Sequence, residues 1–219
     1  MYHIFVDLEF NKVDRQYAKK YGKQEVIEVG AVVLDEQLQE ISHFKSYVKP
    51  QYSSRISNVI KDLTGITYSM VAEAENFAAV LEQFCVWCHG FGEYTIYEWS
   101  DSDLLQLLRE SKKKGLELTE LELEVLQNWL DVQQLYGKSV DSSNQIALET
   151  AMWSMGEDIE GKLHDALWDA RNTAKVYALL QEESNVALAK QMVHHGTPQS
   201  SFSCTLGDLF DFSKLQLAV

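Results

Sequence analysis

Hydrophobic and polar positions follow a strand-like rhythm near the start of the chain and a helical one over most of the rest. Ile4 to Val6 is a β-branched and aromatic run that predicts a strand continuing to about Glu9. Residues 11–24 are polar and basic and predict a loop. Val26 to Leu34 predicts a second strand, with Val29, Ala31 and Val33 on one face and Gly30 permitting close approach. Ile41 to Lys49 alternates until Pro50 and predicts a third. The short connections favour an antiparallel meander.

Helical periodicity follows. Ala74 to Cys88 is apolar at Phe77, Val80, Leu81, Phe84 and Cys88, the spacing of one buried helix face. Tyr94 to Trp99 predicts a short strand. A helix opening at Leu104 to Leu108 runs to a stop at Lys112, Lys113, Lys114 and Gly115. Thr119 with Glu122 forms a capping-box signal. The helix it opens either runs to Tyr136 or is broken by a strand at Trp129 to Val132; periodicity does not arbitrate. Asn144 to Met155 and Asp165 to Glu183 predict two more helices. Strands first, then helices alternating with short strands, imply a mixed sheet covered by helices.

Composition narrows the class. The chain has 219 residues, 46% hydrophobic and 24% charged, with two prolines and no linker-like segment, which predicts one soluble domain. No apolar run approaches the ~18 residues of a membrane helix. The first residues lack a basic region and reach Asp7 and Glu9 at once, unlike a signal peptide. Three cysteines cannot pair evenly and point to a reducing, cytoplasmic location. The net charge of −14 excludes a protein that coats nucleic acid by phosphate neutralisation. It leaves room for an enzyme acting on nucleic acid through bound cations or local basic patches.

Three segments carry candidate chemistry. Asp7 and Glu9 stand two apart on an apolar strand, so both carboxylates share a face. Such a pair is costly unless cations compensate, and oxygen ligands of this kind suit Mg²⁺ or Mn²⁺. His164 lies at the mouth of the Asp165–Glu183 helix and Asp169 more than a turn inside it. A histidine titrating near neutrality suits a general base. Asp101 and Asp103 follow the Tyr94–Trp99 strand, and Asp103 is the better placed to project toward the strand ends. Together these groups suffice to clamp two cations about 4 Å apart around a phosphodiester.

In this set the chain resembles the DEDDh 3′–5′ exonucleases of the RNase H-like fold. Their three motifs appear as Phe5-Val6-Asp7-Leu8-Glu9, Trp99-Ser100-Asp101-Ser102-Asp103-Leu104 and His164 to Asp169. Residues 25–32 look like the family's second strand, Leu63-Thr64-Gly65-Ile66-Thr67 like its substrate-side loop, and residues 128–132 like its short fifth strand. These last segments are most similar to the subgroup of histone-mRNA 3′-end exonucleases and KapD-type proteins.

The resemblance implies an α/β fold, an RNase H-like mixed five-stranded sheet flanked by helices, over residues 1–183. Residues 184–219 then form an extension that docks on the core or makes a homodimer contact. Asp7, Glu9, Asp103 and Asp169 would ligate two Mg²⁺ or Mn²⁺ ions, with the assignment of Asp103 over Asp101 open by two residues. His164 would deprotonate the attacking water, and Phe10 and Leu63 would pack against the terminal nucleotide. The implied substrates are single-stranded RNA or DNA 3′ ends, RNA favoured, released as nucleoside 5′-monophosphates. A rival is a non-catalytic scaffold that retains the fold. Phe10 departs from the Thr or Ser that many members carry.

Other signals carry less. Cys85-Val86-Trp87-Cys88-His89 matches a haem-attachment pattern, but its cysteines fall on an amphipathic helix and read as buried small hydrophobes, so no haem is expected. Two basic clusters, Lys12 to Lys23 and Arg109 to Lys114, are candidate guides for a phosphate backbone. Thr205 to Leu215 reads as a capped amphipathic helix in the extension.

Overall fold

The computed structural model describes residues 1–127 and 129–195; Thr205 to Leu215 lies outside them. In chain order the elements are β1 (Tyr2–Lys12), α1 (Arg15–Tyr21), β2 (Gln24–Leu34), β3 (Glu40–Tyr47), α2 (Asn58–Thr64), α3 (Tyr68–Val71), α4 (Phe77–His89) and β4 (Tyr94–Glu98). Then follow α5 (Ser102–Lys114), α6 (Glu120–Val125), β5 (Leu130–Asp131), α7 (Val132–Ser139), α8 (Leu148–Ser154), α9 (Ala166–Leu179) and α10 (Glu183–His195). The strands form one mixed sheet in the order β3-β2-β1-β4-β5. β1, β2 and β3 are the expected antiparallel meander, while β4 runs parallel to β1 and β5 parallel to β4. This is the expected mixed five-stranded sheet flanked by helices.

Side-chain alternation divides the core into two layers. Ile4, Val6, Leu8 and Phe10 of β1 face one, with Phe84 and Leu107 from α4 and α5. Phe5 faces the other, with Met152, Ala170 and Ala174 from α8 and α9. By the same alternation Asp7 and Glu9 point from the centre of the sheet toward α9. α10 continues the second layer, burying Ala189 and packing Val193 against it, while His194 Nε2 donates to the Val140 carbonyl at 2.8 Å.

Gly30 of β2 sets how closely α9 can approach. It pairs with Asp7 in register, and a Cβ there would fall 2.2 Å from the Ala166 carbonyl carbon and the Leu167 nitrogen. The first turn of α9 therefore rests on bare backbone beside Asp7. Gly30→Ala is expected to push that turn away and to destabilise the fold by about 1–3 kcal/mol. Chemical denaturation checks this; an unchanged midpoint would show that α9 is not seated as described.

Several expected boundaries differ, and the helix expected over Asn144–Met155 is α8, Leu148–Ser154, alone. Residues 11–24, expected as a loop, complete β1, form α1 and begin β2. α1 buries no residue, so no apolar stripe marked it. Between Thr119 and Tyr136 the unbroken helix is overturned and the interrupting strand is found: α6 ends at Val125 and β5 occupies Leu130–Asp131 before α7. The long helix expected from Asp165 to Glu183 ends at Leu179, and α10 is separate. Asp165 is its N-cap, with Oδ1 accepting from the Trp168 amide at 3.4 Å.

Candidate active site

Four carboxylates from three elements meet on the α9 side of the sheet. Glu9, Asp103 and Asp169 are buried at 1%, 3% and 8% exposure, and Asp7 is half-buried. Asp103 stands in the first turn of α5, directly beyond the end of β4. Asp101 is exposed, so burial separates the two candidates.

The electrostatics describe one crowded group. Burial, followed by the charges of Asp103 and Asp169, raises the Asp7 carboxyl well above its ordinary range. Glu9 is raised likewise by burial and then by Asp7 and Asp169. Burial raises Asp103 too, with Glu98, Glu9 and Asp169 adding repulsion. Asp169 is pushed up to about 7, chiefly by burial, although the His164 amide opposes this. Four acids held this way are poorly compensated by the protein itself. Glu9 Oε2 and Asp169 Oδ1 are buried and accept no hydrogen bond among the described residues. Anionic oxygens without partners fit divalent cations as ligands.

His164 joins this group through its backbone. Its φ of +59° is left-handed, an uncommon conformation that turns the chain sharply into α9. Its N–H donates to Asp169 Oδ2 at 2.9 Å. A ring nitrogen of His164 and one carboxylate oxygen each from Glu9 and Asp169 lie within 4.8 Å of one another. Burial lowers the imidazole's pKa, with Lys162 contributing, against an opposing effect of Glu149. The ring is therefore neutral at pH 7 and able to accept a proton. Lys162 Nζ ties this turn to α2 by donating to the Thr64 carbonyl at 2.6 Å.

A supporting frame escaped the sequence reading. Glu28 of β2 pairs opposite Glu9, and its Oε2 accepts from the Ala166 amide at 3.1 Å, holding the start of α9. Lys45 of β3 reaches Glu28 Oε1 at 3.3 Å and Asp165 Oδ2 at 2.6 Å. On the other flank Glu98 of β4 accepts from the Leu104 amide at 2.9 Å, fixing the start of α5. Burial raises Glu98 to about 8. Glu28 was visible only as part of a strand; the register that sets it against Glu9 is tertiary information.

Phe10 is 2% exposed and belongs to the opposite core layer, so its ring is not available to a nucleotide, because strand alternation turns it away from Asp7 and Glu9. Leu63 is half-buried on α2. Cys85 and Cys88 are buried free thiols in the α4 core, and burial raises the Cys85 thiol to about 12. Lys114 leaves its basic cluster: its ammonium is paired with Glu110 at 2.8 Å and its side chain is largely buried. Lys112 and Lys113 are exposed. No helix among the described residues is long and apolar enough to cross a membrane.

The model of the exonuclease (RNase T) family matches residues 4–177. Human ERI1 exoribonuclease 2 is 30% identical over 196 residues, covering 80% of this chain and 28% of that protein. Rat 3′-5′ exoribonuclease 1 is 26% identical over 194 residues, covering 83% of this chain and 54% of the relative. The chain thus spans between about a quarter and a half of the length of these relatives. Among solved structures, the nuclease domain of 3′hExo, a DEDDh family member bound to rAMP, is similar at a TM-score of 0.71 and 24% identity. That similarity covers 82% of this chain and 92% of the domain, and shows a shared RNase H-like fold.

Proposed function

The chain belongs to the exonuclease (RNase T) family, and on that premise we propose that it is a metal-dependent 3′–5′ exonuclease of the DEDDh type. Its proposed substrates are single-stranded nucleic acid 3′ ends, RNA in preference to DNA, released as nucleoside 5′-monophosphates. One observation carries the reading: Asp7, Glu9, Asp103 and Asp169 are held together, under-compensated, beside the neutral imidazole of His164. Its similarity to exoribonucleases supports the preference for RNA.

Asp7, Glu9, Asp103 and Asp169 would hold two Mg²⁺ or Mn²⁺ ions. Such ions, when bound, lower the cost of forming hydroxide from water and of charge on the leaving oxygen. His164 takes the proton of the attacking water at its ring nitrogen. The Asp169 carboxylate orients that residue by accepting its backbone N–H. Glu28 and Lys45 hold the first turn of α9, and Glu98 that of α5, so the carboxylates from separate elements keep a common focus. Leu63, at the end of α2, packs against the terminal sugar. Phe10 acts beneath the strand, as core packing. Residues 1–183 are the proposed catalytic unit and residues 184–219 an extension. The buried free thiols suit a reducing compartment, and a cytosolic location is part of the proposal.

The deciding experiment incubates purified protein with 5′-labelled RNA and DNA of matched sequence in Mn²⁺. A ladder that shortens from the 3′ end, faster on RNA, is expected. Intact oligonucleotides beside well-folded protein would instead favour a scaffold that keeps the fold without the reaction.

A further inference from the structure

We propose that α1, with Tyr52, is a binding platform for the single strand upstream of the scissile bond; this rests on the exonuclease reading and extends it away from the carboxylates. α1 buries no residue, so its composition is not set by the core. Between Lys12 and Lys23 stand five basic residues, Lys12, Arg15, Lys19, Lys20 and Lys23, against one acid, Asp14. That local excess of positive charge sits in a chain of net charge −14.

Aromatic rings are interleaved with these cations. Tyr17, Lys20 and Tyr21, at spacings of three and four, share one face of the helix. Tyr21 stacks on Tyr52 with centroids 3.7 Å apart and planes 11° from parallel, and Tyr17 leans on Tyr52 at 5.7 Å. Lys20 Nζ lies 4.8 Å from the Tyr21 ring centroid. Tyr17 remains 40% exposed. Cations that track a phosphate backbone beside rings that stack on bases are the two elements of sequence-tolerant single-strand binding.

The platform is joined rigidly to the carboxylate strand. β1 carries Glu9 and, two residues on, Asn11, whose Nδ2 donates to the Arg55 carbonyl and whose Oδ1 accepts from the Ser57 amide, both at 3.0 Å. The Asp14 amide donates to the Tyr52 carbonyl at 2.9 Å. Arg15 therefore lies only six residues beyond Glu9, within about 20 Å along an extended chain. The exposed Arg55 lies on the segment between β3 and α2 that also carries Tyr52. A strand whose 3′ end enters the acidic site can lay its preceding nucleotides along this path.

Fluorescence anisotropy with a labelled 20-nucleotide RNA, in Ca²⁺ in place of Mg²⁺, tests the platform directly. Replacing both Lys19 and Lys20 by Glu is expected to weaken binding about tenfold or more. The slope of log affinity against log salt should fall by about 1.4, the loss of two phosphate contacts. Tyr17→Ala should weaken binding with little change in that slope. In hydrolysis, the ratio of kcat/KM for the 20-mer to that for a trinucleotide should fall about tenfold in the lysine variant. Equal binding by variant and wild type, or no binding by the wild type, overturns the platform. If wild type shortens RNA while the lysine variant binds normally, the platform alone fails. If binding is lysine-dependent and no shortening occurs, the exonuclease reading alone fails. An acidic peptide that displaces RNA from wild type, but binds more tightly than RNA, would reassign the surface to a protein partner.

Discussion

Asp7→Asn is expected to reduce RNA hydrolysis by about 10³-fold or more, the several kcal/mol that cation-assisted displacement supplies, while raising the stability of the metal-free protein. Both effects come from one charge. Asp7 sits at the centre of β1, facing three other acids, and its carboxyl is raised well above the ordinary range by burial and by Asp103 and Asp169. A carboxyl raised on folding contributes stability that is fully present below the ordinary carboxylate range. That contribution is lost as pH climbs through the raised value. Asp169 marks such a window at about 7. Metal-free wild type should therefore lose stability between about pH 4 and pH 7, and Asp7→Asn, neutral and nearly isosteric, should lose less. Mn²⁺ should raise the melting temperature of wild type at pH 8 and that of the variant much less. Calorimetry with and without Mn²⁺ separates this from misfolding, which would lower stability in every condition. A variant that keeps the wild-type rate would remove Asp7 from the ligand set.

What the sequence allowed to be read depended on how local each constraint was. Asp7 and Glu9 on one face follow from strand period alone, and the surrounding apolar residues made the pair conspicuous. His164 and Asp169 were readable because the turn and the helix they occupy are contiguous. Asp101 and Asp103 were harder, since either can begin a helix; only the packing of α5 exposes one and buries the other. The frame of Glu28, Lys45 and Glu98 was illegible for a different reason. Glu28 lies opposite Glu9 because of strand register, and Lys45 reaches Asp165 across 120 residues of sequence. Phe10 shows the limit of a role carried over by resemblance: the ring expected to meet a nucleotide is turned by strand alternation into the other core layer. α1 had no apolar stripe because its exposed face is where its cations and rings stand.

The second large effect is expected at His164. His164→Ala should lower kcat by about 10²-fold or more, the range for loss of a general base, with a much smaller change in KM. A backbone contact makes this substitution informative. The contact that holds Asp169 is made by the N–H of residue 164, so it survives removal of the ring. The carboxylates should consequently still bind Mn²⁺, and the Mn²⁺-dependent rise in melting temperature should persist in the variant. A left-handed φ of +59° costs alanine about what it costs other non-glycine residues, so modest destabilisation is the only structural penalty. Burial keeps the imidazole's pKa below its usual value, so the wild-type rate should stay high down to mildly acidic pH before falling. At saturating Mn²⁺ the variant should lose that acid limb along with most of its rate. Added imidazole, small enough to enter the vacated space, should restore part of the rate, with an acid limb set by its own titration rather than by that of the buried ring. Retention of both the rate and the limb in His164→Ala would mean that another group, or solvent, takes the proton.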